Sequence, residues 1–381
     1  MLRRSRRAEF VMHAKTLIQE TLVVVLLVAM GTVAVAQRPT WPTPGTHTYV
    51  GEIKASAGPL RIQMTLTLPK QRGELGTEVQ AVSGEYRLER QGMAFGLSGD
   101  GIDKQGNLVV REYTKPKNRN SEAEDICTGR FDGTLDAGAR QFRGVWIRAD
   151  NKVRWPFEVK LVAVTQEISI STPLGVHWEQ QSLVFFGGSE LANATTRALR
   201  DAVHAQLDVD CEVEPEASWA EGRVSASKDL RAPTAVGTTT GSQKFAAFHV
   251  GEKLVSIGST SRVDGGGAHP NTYFSCLNLV QRGGKVVPLH LPDLVLTPAA
   301  GAELYRLVWS ELQRQGASGA QVPPREPSYE KDLANFVLSP AGVVFGFAPY
   351  AVGGYVEGSF FVKLSWAELQ GVLAPPKELY R

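Results

Sequence analysis

Residues 58–68 read GPLRIQMTLTL, and within them Ile62, Met64, Leu66 and Leu68 alternate with Arg61, Gln63, Thr65 and Thr67. Successive side chains on an extended strand point to opposite faces, so this run offers one apolar face and one polar face. The same period of two recurs over 79–90, 107–113 and 153–164, interrupted by Gly, Asn and Asp, and no helical period persists between Thr46 and Val164. An all-β domain over 37–165 is therefore expected. Residues 114–125 are polar and charged and read as a loop longer than a tight hairpin.

Three times in this half a Gly precedes an aromatic by two positions: Gly84 and Tyr86, Gly129 and Phe131, Gly144 and Trp146. Positions two apart share a strand face, so the ring covers backbone that the Gly leaves bare. The rings are then core, or alternatively a platform on which sugars stack.

From Gln166 the pattern turns mixed. Segments 189–207 (Leu191, Thr195, Ala198, Leu199, Ala202, Leu207) and 298–315 (Leu304, Leu307, Val308, Leu312) follow helical spacing. Strands are expected at 244–250, 254–262, 273–280, 336–338, 343–347 and 359–364. These features predict an α+β domain over 166–381, a mixed or antiparallel sheet with two main helices.

The first 36 residues have the three parts of a secretory signal: Arg3, Arg4, Arg6, Arg7 and Lys15, an apolar run from Leu22, and small residues ending at Ala36. The apolar stretch is shorter than the ~20 residues of a spanning helix, so cleavage after Ala36 and a periplasmic or secreted product with no stable membrane span are expected. Beyond Ala36 the chain has 36 basic and 37 acidic residues. This near-neutral balance gives no support to a nucleic-acid partner, whose footprint is a basic excess. The charge is split, with 19 basic against 15 acidic residues over 37–165 and 17 against 22 from Gln166 onward.

In the C-terminal half, GGGAHPNTYFSCLNL (265–279), PLHLPDLV (288–295) and the ending carried by Gly342, Val343, Phe345, Phe347, Pro349, Tyr350, Tyr355, Gly358 and Leu369 occur in order. Together they resemble the RsiV-type module shared by a lysozyme-sensing anti-sigma factor and a polysaccharide deacetylase. Pro270 stands where that module more often has a small residue, and Leu364-Ser365-Trp366 where it commonly has isoleucine, proline and an aromatic. Only about 20 residues precede the apolar run, too few for a sigma-binding domain, and Arg381 follows the module too soon for a deacetylase domain. The resemblance thus implies the binding module alone, with a cationic lysozyme-like protein or a peptidoglycan fragment as partner.

No catalytic constellation, metal spacing or cofactor motif accompanies it. The seven His residues include no His-Glu-x-x-His, Gly316-Ala317-Ser318-Gly319 is one residue short of a nucleophile elbow, and Gly265–Gly267 lacks the Lys-Ser/Thr ending of a phosphate loop. The alternative to a binding protein is an envelope enzyme acting on glycan or peptide, with His269 as general base beside Asp264. Candidate binding residues are His269 and Asn271, held by the glycine turn or capping its backbone, and Tyr350 and Tyr355 on a Pro- and Gly-bounded loop, where aromatics serve either as core or as binding anchors.

Two further expectations rest on 208–216 being a strand. Cys211 would share the apolar face of Val209 and Val213, and Cys276 that of Phe274 and Val280, which makes Cys211–Cys276 the expected disulfide and leaves Cys127 without a partner. On the opposite face Asp208, Asp210, Glu212 and Glu214 would form a negative row, either a charged sheet edge or a stripe that steers a cationic partner.

Overall fold

The computed structural model describes residues 45–68, 81–88, 94–103, 105–114, 126–136, 140–171, 176–211, 216–218, 223–225, 239–322 and 327–380. The alternating runs of the N-terminal half become β1 (Gly45–Ala55), β2 (Gly58–Leu68), β3 (Val82–Leu88), β4 (Ala94–Ile102), β5 (Asn107–Thr114), β6 (Ile126–Asp136), β7 (Gln141–Arg148) and β8 (Arg154–Ser171). Each pairs antiparallel with its neighbour in sequence, and β8 returns to β1 from His47↔Val164 to Ile53↔Phe157. Eight strands thereby close into a barrel, whose interior at this strand number is just wide enough for side chains to fill.

The apolar face of each strand points inward. Ile62, Met64 and Leu66 are fully buried, and Phe131 stands edge-on to Tyr86 at 5.1 Å and to Phe157 at 5.0 Å, centroid to centroid. Such edge-to-face pairs add stability beyond the area they bury. The Gly–aromatic series is structural: Tyr86 and Phe131 are core, and Trp146 lies over Gly129. At Gly144 the strands approach so closely that a Cβ would stand 2.1 Å from the Asp132 carbonyl oxygen.

The expected all-β domain followed by an α+β domain is not what forms; the fold is mostly β. Strand β8 is 18 residues long and runs past the barrel to pair with β9 (Val176–Phe185) from Ala163↔Phe185 to Ser171↔His177. A short ribbon joins β10 (Glu216–Ser218) to β11 (Arg223–Ser225). Strand β9 lies parallel to β12 (Thr239–Val250), which is followed antiparallel by β13 (Leu254–Asp264), β14 (Asn271–Arg282) and β15 (Lys285–Pro288). Barrel and extension are one 13-stranded sheet, and the C-terminal part has only a small sheet of its own: β16 (Phe336–Ser339), β17 (Gly342–Phe347) and β18 (Phe360–Ser365). The reason is that alternation with a period of two looks the same inside a barrel and beyond it, so it does not mark where one strand serves both.

Among the described residues, three α-helices pack on the sheets. In α1 (Glu190–Cys211), Ser189 caps the first turn by accepting from Ala192 N at 3.1 Å, and Leu191 and Leu199 pack against Leu183, Val255, Ile257 and Leu279. In α2 (Pro298–Arg314), Thr297 accepts from Ala300 N and Pro298 opens the first turn, while Leu304, Val308 and Leu312 join the core of the small sheet. The third, α3 (Tyr329–Asp332), is one turn capped by Ser328. Among the described residues no helix is long and apolar enough to cross a membrane. The small sheet is tied to the large one by a buried polar chain: Leu338 N donates to Ser256 Oγ at 2.7 Å, Ser256 Oγ donates to Asn278 Oδ1 at 2.6 Å, and Asn278 Nδ2 donates to the Phe336 carbonyl at 3.0 Å.

Segment 208–211 is helical, not extended, because α1 continues through Cys211. On a helix, residues two apart lie about 200° apart around the axis, so Asp208 and Asp210 do not form a row; Glu212 and Glu214 lie outside the described residues. The expected disulfide is likewise absent. Cys276 is a free thiol that donates to the Ala334 carbonyl at 3.4 Å, Cys127 is free and exposed, and the side chain of Cys211 lies outside the described residues.

Candidate functional site

The β13–β14 hairpin turns through Gly265–Pro270. Of its three glycines only Gly266 has positive φ, at +79°, and its N–H is held by Asp264 Oδ1 at 3.0 Å. This turn puts His269 beside the loop joining β17 to β18. His269 Nε2 lies 2.7 Å from the Tyr350 hydroxyl, and its ring stacks on Tyr355 with centroids 3.6 Å apart and planes 14° from parallel. Tyr350 and Tyr355 are themselves 5.8 Å apart. Three aromatic side chains from two segments separated by 81 residues thus meet at the surface.

The loop that presents the tyrosines is fixed from below. Glu357 accepts from Ser318 Oγ at 2.5 Å, Ser318 N at 2.8 Å and Gly354 N at 2.7 Å, and these bonds hold its carboxyl below the usual range, the Ser318 hydroxyl first among them. Gly319 N donates to the Val352 carbonyl at 2.9 Å. A Cβ at Gly353 would stand 2.6 Å from the Glu357 carboxylate, so a side chain there would displace that carboxylate from its bonds. Above this anchor Tyr350 keeps φ at +71°, a strained value for a bulky residue, and is 63% exposed. Strain of this kind persists where the surroundings over-determine it, and it is concentrated at binding and switch sites.

His269 does not cap its own turn. Its Nε2 is engaged with Tyr350, and its Nδ1 is shielded and has no hydrogen-bond partner among the described residues. The pairing with Asp264 that general-base chemistry would use is not formed, since Asp264 instead holds Gly266 N. Chemically, the arrangement is a preformed aromatic surface with one hydroxyl and one imidazole on its face. Asn271 is exposed at the start of β14 opposite Val263, and no hydrogen bond among the described residues joins it to the cluster.

Residues 294–367 match the model of the DUF3298 family, described as a protein of unknown function. Tyr350, Tyr355 and their anchor lie inside the DUF3298 segment, whereas His269 reaches it from the preceding hairpin. Two solved structures are similar in part: a DUF3298 family protein of Pseudomonas aeruginosa PAO1, 18% identical, covering 56% of this chain and 93% of that one with a TM-score of 0.38, and a member from Bacteroides fragilis, 14% identical, covering 56% and 92% with a TM-score of 0.37. No curated protein matches.

One polar site went unread in the sequence. Glu112 of β5 points into the barrel and is 2% exposed; its carboxyl accepts from the Tyr86 hydroxyl at 2.7 Å, Trp146 Nε1 at 2.7 Å and Thr128 Oγ1 at 2.5 Å. Burial, followed by the Glu112 carboxyl, pushes the Tyr86 phenol up. The signal was the register Leu108, Val110, Glu112, which places an acid on the core face and so calls for buried donors. All three donors are spent within the knot, which fits a structural role.

Proposed function

We propose that this chain is an exported cell-envelope binding protein that captures a lysozyme-type muramidase or a peptidoglycan fragment through the surface formed by His269, Tyr350 and Tyr355. The observation that carries the reading is the preassembled cluster: a strained, exposed tyrosine locked to a histidine and stacked beside a second tyrosine, on a loop fixed by Glu357. Rigid aromatics lose little conformational entropy on binding and recur as interface anchors. Two sequence features support it: the secretory pattern of residues 1–36, and the resemblance of 265–279 and 342–369 to the RsiV-type module. The helical course of 208–211 withdraws the negative row from this account, so recognition rests on the aromatic surface. Affinity capture from envelope extract, with and without added c-type lysozyme, tests the proposal. Retention of lysozyme or glycan by the wild type and its loss in Tyr350→Ala is expected; equal retention by both contradicts it.

A further inference from the structure

Where β12, β13 and β14 of the large sheet face the small one, the two part to leave an apolar crevice of about 410 Å³. Register explains it. Across β12, β13 and β14, Ala246 pairs with Gly258 and Gly258 with Cys276, so three small residues line up in one row and leave a trough. The next row, Lys244, Thr260 and Phe274, bounds one side of it. On the facing sheet the wall is carbon from Val337, Val344 and Phe361, which share one face by register, and Phe361 leans on Phe274 at 4.9 Å. A Cβ at Gly258 would meet the Phe248 ring at 3.0 Å and Val337 Cγ1 at 3.4 Å, so the glycine gives these two side chains room to seat against the sheet and form the crevice's inner wall.

Such a volume lies within the range of small-molecule sites, about 300–1,000 Å³, which are mostly apolar with a few polar groups that fix orientation. Here the crevice has one charged lining residue: Lys244, exposed and in no ion pair among the described residues. We infer that this crevice binds an amphiphile with an apolar chain and an anionic head, the chain lying along Ala246 and Cys276 against Phe248, Val337 and Phe361 and the head paired with Lys244. An uncharged apolar ligand would leave the lysine unused, and a polar one would strip water from its own groups against a carbon wall. The site is distinct from the His269 cluster and does not depend on its function.

The test is calorimetric titration of the full chain with octanoate, decanoate and dodecanoate below their micelle-forming concentrations, and with 1-decanol. Affinity should rise about fourfold per added methylene, the factor that corresponds to burying one CH₂. Ala246→Leu, at an exposed end of the row, should weaken decanoate at least tenfold with an unchanged melting temperature. Lys244→Glu should weaken decanoate while leaving 1-decanol as it was, and Tyr350→Ala should leave both alone. Absence of binding, affinity independent of chain length, or full affinity in Ala246→Leu overturns the inference. So does self-association of the protein that Ala246→Leu abolishes, because a second copy would then be the occupant.

Discussion

Replacing Glu112 by leucine removes the acceptor for three donors inside the barrel without removing the donors. Tyr86 is 2% exposed, and Trp146 and Thr128 are half-buried, so water replaces none of the lost bonds fully. An unpaired buried donor costs about 1–3 kcal/mol; taking the lower half of that range for the two half-buried groups, Glu112→Leu should lose about 3–7 kcal/mol. Glu112→Gln is the informative control. One carboxyl oxygen accepts from both Tyr86 and Trp146 and the other from Thr128, so a glutamine carbonyl can serve the first two while its NH₂ donates to the threonine hydroxyl, which can reverse its role. That variant should lie within about 1–2 kcal/mol of wild type, the difference being the loss of charge assistance. Urea unfolding of the three proteins, compared by midpoint at constant slope, reads both values. If Glu112→Leu falls within about 1 kcal/mol of wild type, the size of an ordinary substitution, the knot does not hold the barrel and the reasoning fails.

Other consequences follow from buried groups and close approaches. His249 is 3% exposed, its Nε2 has no hydrogen-bond partner among the described residues, and burial lowers its pKa to about 4. Between the ordinary value near 6.5 and about 4 the unfolded chain binds a proton that the native state refuses, so stability should fall as pH falls through that window, by about 3 kcal/mol in all; His249→Gln should flatten this part of the stability profile, and an unchanged slope would contradict the assignment. Gly144→Ala puts a methyl group against the Asp132 carbonyl at 2.1 Å, and denaturant unfolding should show a loss of about 2 kcal/mol or more; a neutral result would mean that the strands separate freely there. With Cys127 exposed and burial raising the Cys276 thiol, a thiol reagent followed by peptide mapping should label Cys127 rapidly and Cys276 slowly, whereas a Cys276-containing bridged peptide would restore the disulfide.

What could be read from the sequence was the local alternation. Ile62, Met64, Leu66 and Leu68 announced a half-buried strand, and all four are core. Closure could not be read, because it depends on β8 meeting β1 more than 100 residues away in register, and period two is silent about partners. The same silence hid the continuation of β8 into the second part of the sheet. At 208–211 two periods competed: apolar and acidic residues alternate as on a strand, but the segment follows a helix whose Leu191, Thr195, Ala198 and Leu199 spacing was already established, and the helix continues through it. The aromatic site was half legible. Gly and Pro around His269, Tyr350 and Tyr355 marked exposed, fixed positions, whereas their meeting is a tertiary fact set by the β13–β14 hairpin and the Glu357 anchor. Asn271, exposed at the start of β14, makes no hydrogen bond to the cluster among the described residues.

The central claim is tested most directly by calorimetric titration of the full chain with a c-type lysozyme and with soluble peptidoglycan fragments, repeated on Tyr350→Ala and His269→Ala variants of unchanged melting temperature. Saturable binding of one of these ligands, weakened at least tenfold in both variants, is the expected result. No detectable heat with either ligand at high concentration, or equal affinity in all three proteins, would contradict it.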